Sequence, residues 1–486
     1  MKLSLFSTLR GYRKEYLPKD IFSGIIIAAV SIPISMGYAQ ISGIPAVYGL
    51  YGSVLPILLF ALFSTSRQFI FGVDAAPAAI VGGALSTLGI AAESEAAMDY
   101  VPAIALFAGL WLFIFFLLHA DKIVDFISTP VMGGFISGIA VTIILMQIPK
   151  LMGSPAGSGE LLELAEHIFA AAKNISWLSL FMGLGALVLI RTFKKLAPKF
   201  PMAIVIMALG VLSTVVFHVD EKSVVLLQSV ERGLPSLVIP DFGNVDLTQA
   251  AGRGLMVAVV IMAETLLAEN TFAFRNDYKL NDRQEILACA AGNIAAAAVG
   301  CCPVNGSISR TSLNEQYGGK SQAVSITAGI TMALILLFGT GFIGYLPVPV
   351  LTAIVISALM DVVETHLAVR LFKVSRTEFY IFMAAGFSVL CLGTIYGVII
   401  GILLSFVAVI LKATNPPRSF RGMILSLIHI FQWKQWEIFP PVFHNTLSSH
   451  QHPGRSFLLS SDSPQGKSTR PFPHHKARWR LHQWQW

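Results

Sequence analysis

Apolar stretches close to twenty residues long recur from Ile21 to Lys412, and no other feature so narrows the folds open to this chain. A helical run of that length matches the hydrocarbon layer of a bilayer. Inside that layer every backbone group must be paired within the protein. Fourteen such segments can be drawn, from 21–39 to 395–412, several of them short. Only 13% of the residues are charged, against roughly 25% in soluble domains. The expected fold is an all-α polytopic membrane protein. Residues 1–20 are polar and basic and lead into the first span without a small-residue cleavage site, so they are read as a cytoplasmic N-terminal segment and not as a signal peptide.

The formal net charge of +7 comes wholly from residues 416–486, which hold nine Lys/Arg and two Asp/Glu. The part before them is balanced, so a nucleic-acid partner is not expected. That tail holds seven of the eleven His and five of the seven Trp, with no helical or strand period. At its start, "LSLIHI" (Leu425–Ile430) is the translation of a transposon-end adapter used in sequencing libraries. The tail is therefore read as irregular or artefactual, with a basic, His-rich metal- or lipid-binding tail as the rival. The four cysteines, Cys289, Cys301, Cys302 and Cys391, lie in or beside apolar spans, with neither a disulfide framework nor zinc spacing. No nucleophile–base pair, metal cluster or cofactor loop stands out, so neither an enzyme nor a cofactor is expected.

An even number of spans places both ends of 21–415 on one side. Nineteen of the twenty-five Lys/Arg before the tail fall on that side, in loops such as "RTFKKLAPK" and "RLFKVSR". The opposite loops are acidic: "AESEAAMD", "ELLELAE", "VDEK". By the positive-inside rule the N-terminus is cytoplasmic. Segments three (75–90) and ten (306–315) are short, and each begins at a break, "FGVDAAPAAI" and "CCPVNGSISR". Each is third in its half of seven. Interrupted helices at matching positions are the mark of an inverted-repeat transporter with its site at the midplane. Their N-terminal ends would supply N–H donors and positive dipole character, which suit an anion. Gly72 and Gly306 allow close backbone approach, and Pro77 and Pro303 are expected near helix starts. Ser307 and Ser309 add hydroxyls. Arg310 adds a charge that does not titrate and is costly in lipid without a partner.

These stretches resemble the sulfate permease (SulP) family of anion transporters. The resemblance rests on "DIFSGIIIAAVSIPISMGYAQISGIPAVYGLYGSVLP", "TSRQFIFGVDAAPAAI", and "NDYKLNDRQEILACAAGN" followed by "CCPVNGSISRTSLNEQYGGKSQA", in that order. It implies a 7+7 inverted repeat of fourteen spans with short half-helices or strands at spans three and ten. A core (spans 1–4 and 8–11) would move against a gate (spans 5–7 and 12–14) like an elevator. It also implies a homodimer in the plasma membrane and a STAS domain, whose place the tail takes. Ser309 and Arg310 match the family's anion-site pair, and Tyr38 a first-span aromatic beside it. The expected substrate shell is Tyr38, Asp74, Ala75, Ala76, Gly306, Ser307, Ile308, Ser309 and Arg310. Ile34 replaces a common glutamine.

Asp74 departs from the family and is read both as a helix cap and as a proton-linked competitor for Arg310. Glu264 matches the span-eight acidic position tied to sodium or protons. Ala268 and Ile308 lack oxygens where a sodium site needs them, which favours protons. The leading expectation is proton-coupled symport of a sulfate-like or carboxylic anion across the lipid bilayer. The alternatives are sodium-coupled bicarbonate transport and an uncoupled exchanger or channel. Glu269 is left out as lying nearer the cytoplasmic end. Asn293, Asn305 and Asn314 are read as structural partners for freed backbone groups, and Asp361 and Glu364 as interfacial pairing.

Overall fold

The computed structural model describes residues 5–414, apart from 11, 123–128, 158, 160, 198–199, 220–223, 231, 239 and 244. The expected irregular tail, 416–486, lies outside the described residues. The first half of the chain runs α1 (Leu17–Ile41), α2 (Ala46–Tyr51), α3 (Leu55–Phe63), β1 (Ile70–Gly72), α4 (Ala75–Thr87), α5 (Glu95–Leu118), α6 (Thr129–Leu151), α7 (Leu161–Lys173), α8 (Trp177–Leu196) and α9 (Met202–Phe217). The second runs α10 (Leu247–Arg275), α11 (Asp282–Ala298), β2 (Asn305–Ser307), α12 (Ile308–Tyr317), α13 (Ala323–Phe338), α14 (Val348–Val362), α15 (Thr365–Val374) and α16 (Arg376–Thr414). Among the described residues every apolar segment drawn from the sequence falls mainly in helix, the tenth beginning in β2. The second is split into α2 and α3. The last two share α16, which turns non-helical at Gly393 (φ 82°, ψ 168°). Among the described residues seven helical stretches are long and apolar enough to cross a membrane by themselves.

Helix ends follow ordinary capping chemistry. Ser94 accepts from Ala97 N–H at the start of α5 (3.2 Å), and Asp246 from Thr248 and Gln249 at the start of α10 (2.9 and 3.2 Å). With 25 residues α1 measures roughly 37 Å, enough to span the hydrocarbon layer. By contrast α4 has 13 residues and α12 has 10, roughly 20 and 15 Å, so each crosses part of it.

The two chain breaks solve each other's hydrogen-bonding problem. β1 and β2 pair antiparallel, Ile70 opposite Ser307, Phe71 opposite Gly306 and Gly72 opposite Asn305. Side chains complete the pairing that lipid would not supply. Asn293 brackets both backbone groups of Val304 (2.9 and 3.0 Å), and Asn314 Nδ2 donates to the Gln68 carbonyl (2.7 Å). Gln322 Nε2 donates to the carbonyls of Ser66 and Phe69 (2.8 and 2.9 Å). The structural roles read for Asn293 and Asn314 hold, whereas Asn305 bonds side chains. Pro303 is a correction: it precedes β2 and starts no helix, because a strand intervenes before α12.

Both strands lead directly into half-helices. Since the ribbon is antiparallel, α4 and α12 leave it in opposite directions with their N-terminal ends turned back towards it. Around this centre the helices approach closely at glycines. A Cβ on Gly134 of α6 would meet the backbone carbonyl of Phe382 in α16, whereas one on Gly185 of α8 would meet nothing within 4 Å. Gly134→Ala should lower stability by about 1–3 kcal/mol and Gly185→Ala by almost nothing. Thermal unfolding of the detergent-purified variants checks this.

Candidate functional site

A cavity of about 360 Å³ lies at the ribbon. On one wall are the first residues of α4 (Asp74, Ala75, Ala76), the first of α12 (Ile308, Ser309), Val30 and Ile34 of α1, and Glu264 of α10. The facing wall is apolar, with Ile139 of α6, Ile190 of α8, Met202 of α9 and Ile354 of α14. Lys194, Asp361 and Glu364 also line it, at the end of the helices where the basic loops lie. There Asp361 pairs with Arg191 (2.7 Å) and with Lys194, as its interfacial reading anticipates.

Of the expected substrate shell, Asp74, Ala75, Ala76, Ile308 and Ser309 line the cavity, as does the coupling residue Glu264. Tyr38, Gly306, Ser307 and Arg310 stand one layer behind it, each almost wholly buried. Ile34 of α1 lines the cavity with an apolar side chain.

Arg310 is 1% exposed. Its Nη2 donates to the Val73 carbonyl (2.5 Å) and its Nη1 reaches Ser31 Oγ (3.5 Å). A Cβ on Gly72 would sit 2.9 Å from Nη1, so glycine at that position makes room for the guanidinium. The nearest carboxylate is that of Asp74, 4.0 Å from Nη2. Asp74, itself 9% exposed, thus stands between Arg310 and the open space. Its Oδ1 also accepts from Ala75 N–H (2.8 Å), so capping and charge pairing are both present. The α12 start differs: Ser307, at its N-cap, makes no side-chain cap bond and instead contacts Ser309 Oγ (3.4 Å). First-turn N–H groups of α12 beside Ser309 are therefore free of a side-chain cap where the cavity begins.

Glu264 is tied to the same ribbon. Its Oε2 accepts from Asn305 Nδ2 (2.6 Å), Asn305 Oδ1 accepts from Thr265 Oγ1 (2.6 Å), and Gly306 N–H donates to Thr265 Oγ1 (3.3 Å). A change of charge on Glu264 is felt by β2 through Asn305. Sequence reasoning assigned Asn305 to the backbone and missed this link. It also set Glu269 aside. That residue is fully buried, and among the described residues neither carboxylate oxygen has a hydrogen-bond partner. Its closest charged neighbour is Glu285, which accepts from Ser64 Oγ (2.8 Å), Thr65 N–H (2.6 Å) and Thr65 Oγ1. The rule that ionisable residues at membrane depth are suspect would have kept Glu269 in view. Among the described residues no group of three or more His, Cys, Asp or Glu is placed to hold a metal ion.

Comparison with known proteins agrees with this architecture. A family model described as the sulfate permease family matches residues 17–385. A probable sulfate transporter of Mycobacterium tuberculosis is 26% identical over 415 residues, covering 85% of this chain and 74% of the relative. Sulfate transporter 4.1, chloroplastic, of Arabidopsis thaliana is 30% identical over 432 residues, covering 86% and 62%. Among solved structures, murine Slc26a9 in its inward-facing state aligns with TM-score 0.76 at 19% identity, over 84% of this chain and 70% of that one. The transmembrane domain of the cyanobacterial bicarbonate transporter BicA aligns with TM-score 0.71 at 20% identity, over 81% and 98%. The helix order, the paired half-helices and the match over most of its length give one answer: the chain belongs to the sulfate permease family of membrane transporters.

Proposed function

We propose that this protein is a secondary active transporter that carries a small anion, sulfate-like in charge and size, together with protons. The observation behind the proposal is the charge balance of the cavity. Asp74 and Glu264 line it, and Arg310 lies 4.0 Å behind Asp74. With both carboxyls ionised the site carries a net negative charge and repels an anion. Each proton taken up removes one competitor for the guanidinium. The names of the curated relatives favour sulfate as the substrate. The substrate shell is the expected set, with Ser309, the α12 start and the first residues of α4 in contact, and Arg310 reached once Asp74 is neutral.

Alternating access follows from the two walls. In the proposed division, α1–α5 and α10–α13 form a core that carries Asp74, Glu264 and Arg310. α6, α8, α9, α14 and α16 form a gate that faces the α4 and α12 starts mainly with Ile139, Ile190, Met202 and Ile354, its Lys194 and Asp361 being paired with each other at one end. On the opposite side Lys150 Nζ of α6 donates to Gln40 Oε1 of α1 (3.0 Å), joining the two sets. The proposed setting is the plasma membrane, N-terminus cytoplasmic, as a homodimer.

Sodium coupling is the second reading, since Thr265 Oγ1 and Asn305 Oδ1 lie beside Glu264; the absence of an oxygen at Ala268 and Ile308 weighs against it. Uptake of radiolabelled sulfate into proteoliposomes separates the readings. An imposed acid-outside gradient should accelerate uptake several-fold, and a sodium gradient should not. Acceleration by sodium alone supports the second reading, and equal rates under all conditions support an uncoupled exchanger or channel.

A further inference from the structure

The two halves of the chain each contain one short helix that the run of apolar segments does not announce. α7 lies between the fifth and sixth spans and α15 between the twelfth and thirteenth, which are matching positions in the repeat. Both bury a narrow stripe and leave large apolar side chains outside: Leu162 and Phe169 on α7 (80% and 72% exposed), Val369 and Phe372 on α15 (56% and 54%). At 13 and 10 residues, neither is long enough to cross a bilayer. Their charge is opposite in kind. Exposed Glu163 and Glu166 mark α7, whereas α15 has no carboxylate and carries His366, Arg370 and Lys373. Since the fold uses the same element in both halves, packing does not account for the difference.

The three basic residues fall at i, i+4 and i+7, one stripe of the helix. Val369 and Phe372 border it on one side, and Arg376 of α16 lies over the Phe372 ring at 5.8 Å. Leu371, on the other face, is buried. Glu364, ahead of the helix, is close enough to act on His366, but among the described residues no ion pair joins Arg370 or Lys373 to an acidic side chain. Both stand beside an apolar surface that belongs at the lipid boundary. That combination fits a negative headgroup whose acyl chains run along Val369 and Phe372.

We propose that α15 is a binding site for anionic phospholipid headgroups, and that α7, its counterpart on the other face, is not. The helix lies at the same end of the molecule as the basic loops and the Asp361 cluster, so the lipid would come from that leaflet. This inference stands apart from the transport reading and does not depend on which ion is coupled.

The test is lipid retention by the whole protein. Native mass spectrometry of protein extracted from phosphatidylcholine vesicles containing phosphatidylglycerol counts retained anionic lipid. In the doubly substituted R370Q/K373Q variant retention should weaken about fivefold per basic side chain removed. R370K/K373R, which keeps the charge, should match the unsubstituted protein, and E163Q/E166Q on α7 should change nothing. Undiminished retention in R370Q/K373Q overturns the assignment. So does equal loss in R370K/K373R, which would mean that helix packing and not charge holds the lipid.

Discussion

Replacing Arg310 with alanine should abolish saturable anion uptake. It removes the positive charge behind Asp74 and leaves the Val73 carbonyl and the Asp74 carboxylate without their partner. Breaking a buried charge pair from one side costs about 3–5 kcal/mol. In binding terms that is about two to three orders of magnitude in affinity. Such a loss also threatens folding, so Arg310→Lys serves as companion. Lysine keeps the charge and loses the fork that reaches Val73 and Ser31 together. The expected order of uptake is wild type, then lysine, then alanine, with all three eluting alike on size exclusion. Unimpaired saturable uptake by a well-folded alanine variant would remove Arg310 from the site.

The second large effect is expected at Asp74→Asn. Asparagine caps a helix as well as aspartate does, so α4 should start where it did. What changes is charge. Two unit charges 4.0 Å apart interact by roughly 4 kcal/mol at an effective dielectric of 20 before desolvation is counted. Freeing Arg310 from that competition should tighten anion binding at neutral pH by one order of magnitude or more. The sign with pH follows. In the wild type, acid neutralises Asp74 and binding rises as pH falls. In Asp74→Asn that rise should flatten, leaving the smaller part carried by Glu264. Binding assayed by scintillation proximity across a pH series distinguishes the two curves. If the double variant Asp74→Asn, Glu264→Gln keeps the wild-type pH dependence, proton coupling through these groups is ruled out.

Much of the architecture was legible because lipid leaves few choices. Long apolar runs become helices, and "FGVDAAPAAI" and "CCPVNGSISR" mark breaks because a proline, a glycine and a charge do not sit in a free-standing span. The same physics made Asn293 and Asn314 readable as backbone partners. Other features left no trace in the pattern. Three-residue strands such as Ile70–Gly72 are too short to show alternation, so the short strands at spans three and ten are expected from the family resemblance and not from the pattern, and Pro303 is placed at a helix start it does not occupy. α7 and α15 mix charged and apolar residues and fall below any search for apolar runs.

At the candidate site, sequence named residues that the structure brings together, but not their order of depth. Asp74 proves to stand in front of Arg310, and Asn305 to hold Glu264, because both facts depend on how α4 and α10 meet the ribbon. Glu269 was set aside for its nearness to a helix end, and the structure adds what position along the span does not give, that its side chain is fully buried.

The most direct test is to locate the anion. Selenate, a heavier analogue of sulfate, can be found by its anomalous scattering in crystals grown at acid pH. The predicted result is a peak in the cavity between Ser309 and the first turn of α4, with the Asp74 carboxyl turned away and Arg310 within hydrogen-bond reach of the oxygens. A peak elsewhere, or selenate bound while Arg310 stays on the Val73 carbonyl behind an unmoved Asp74, would contradict it.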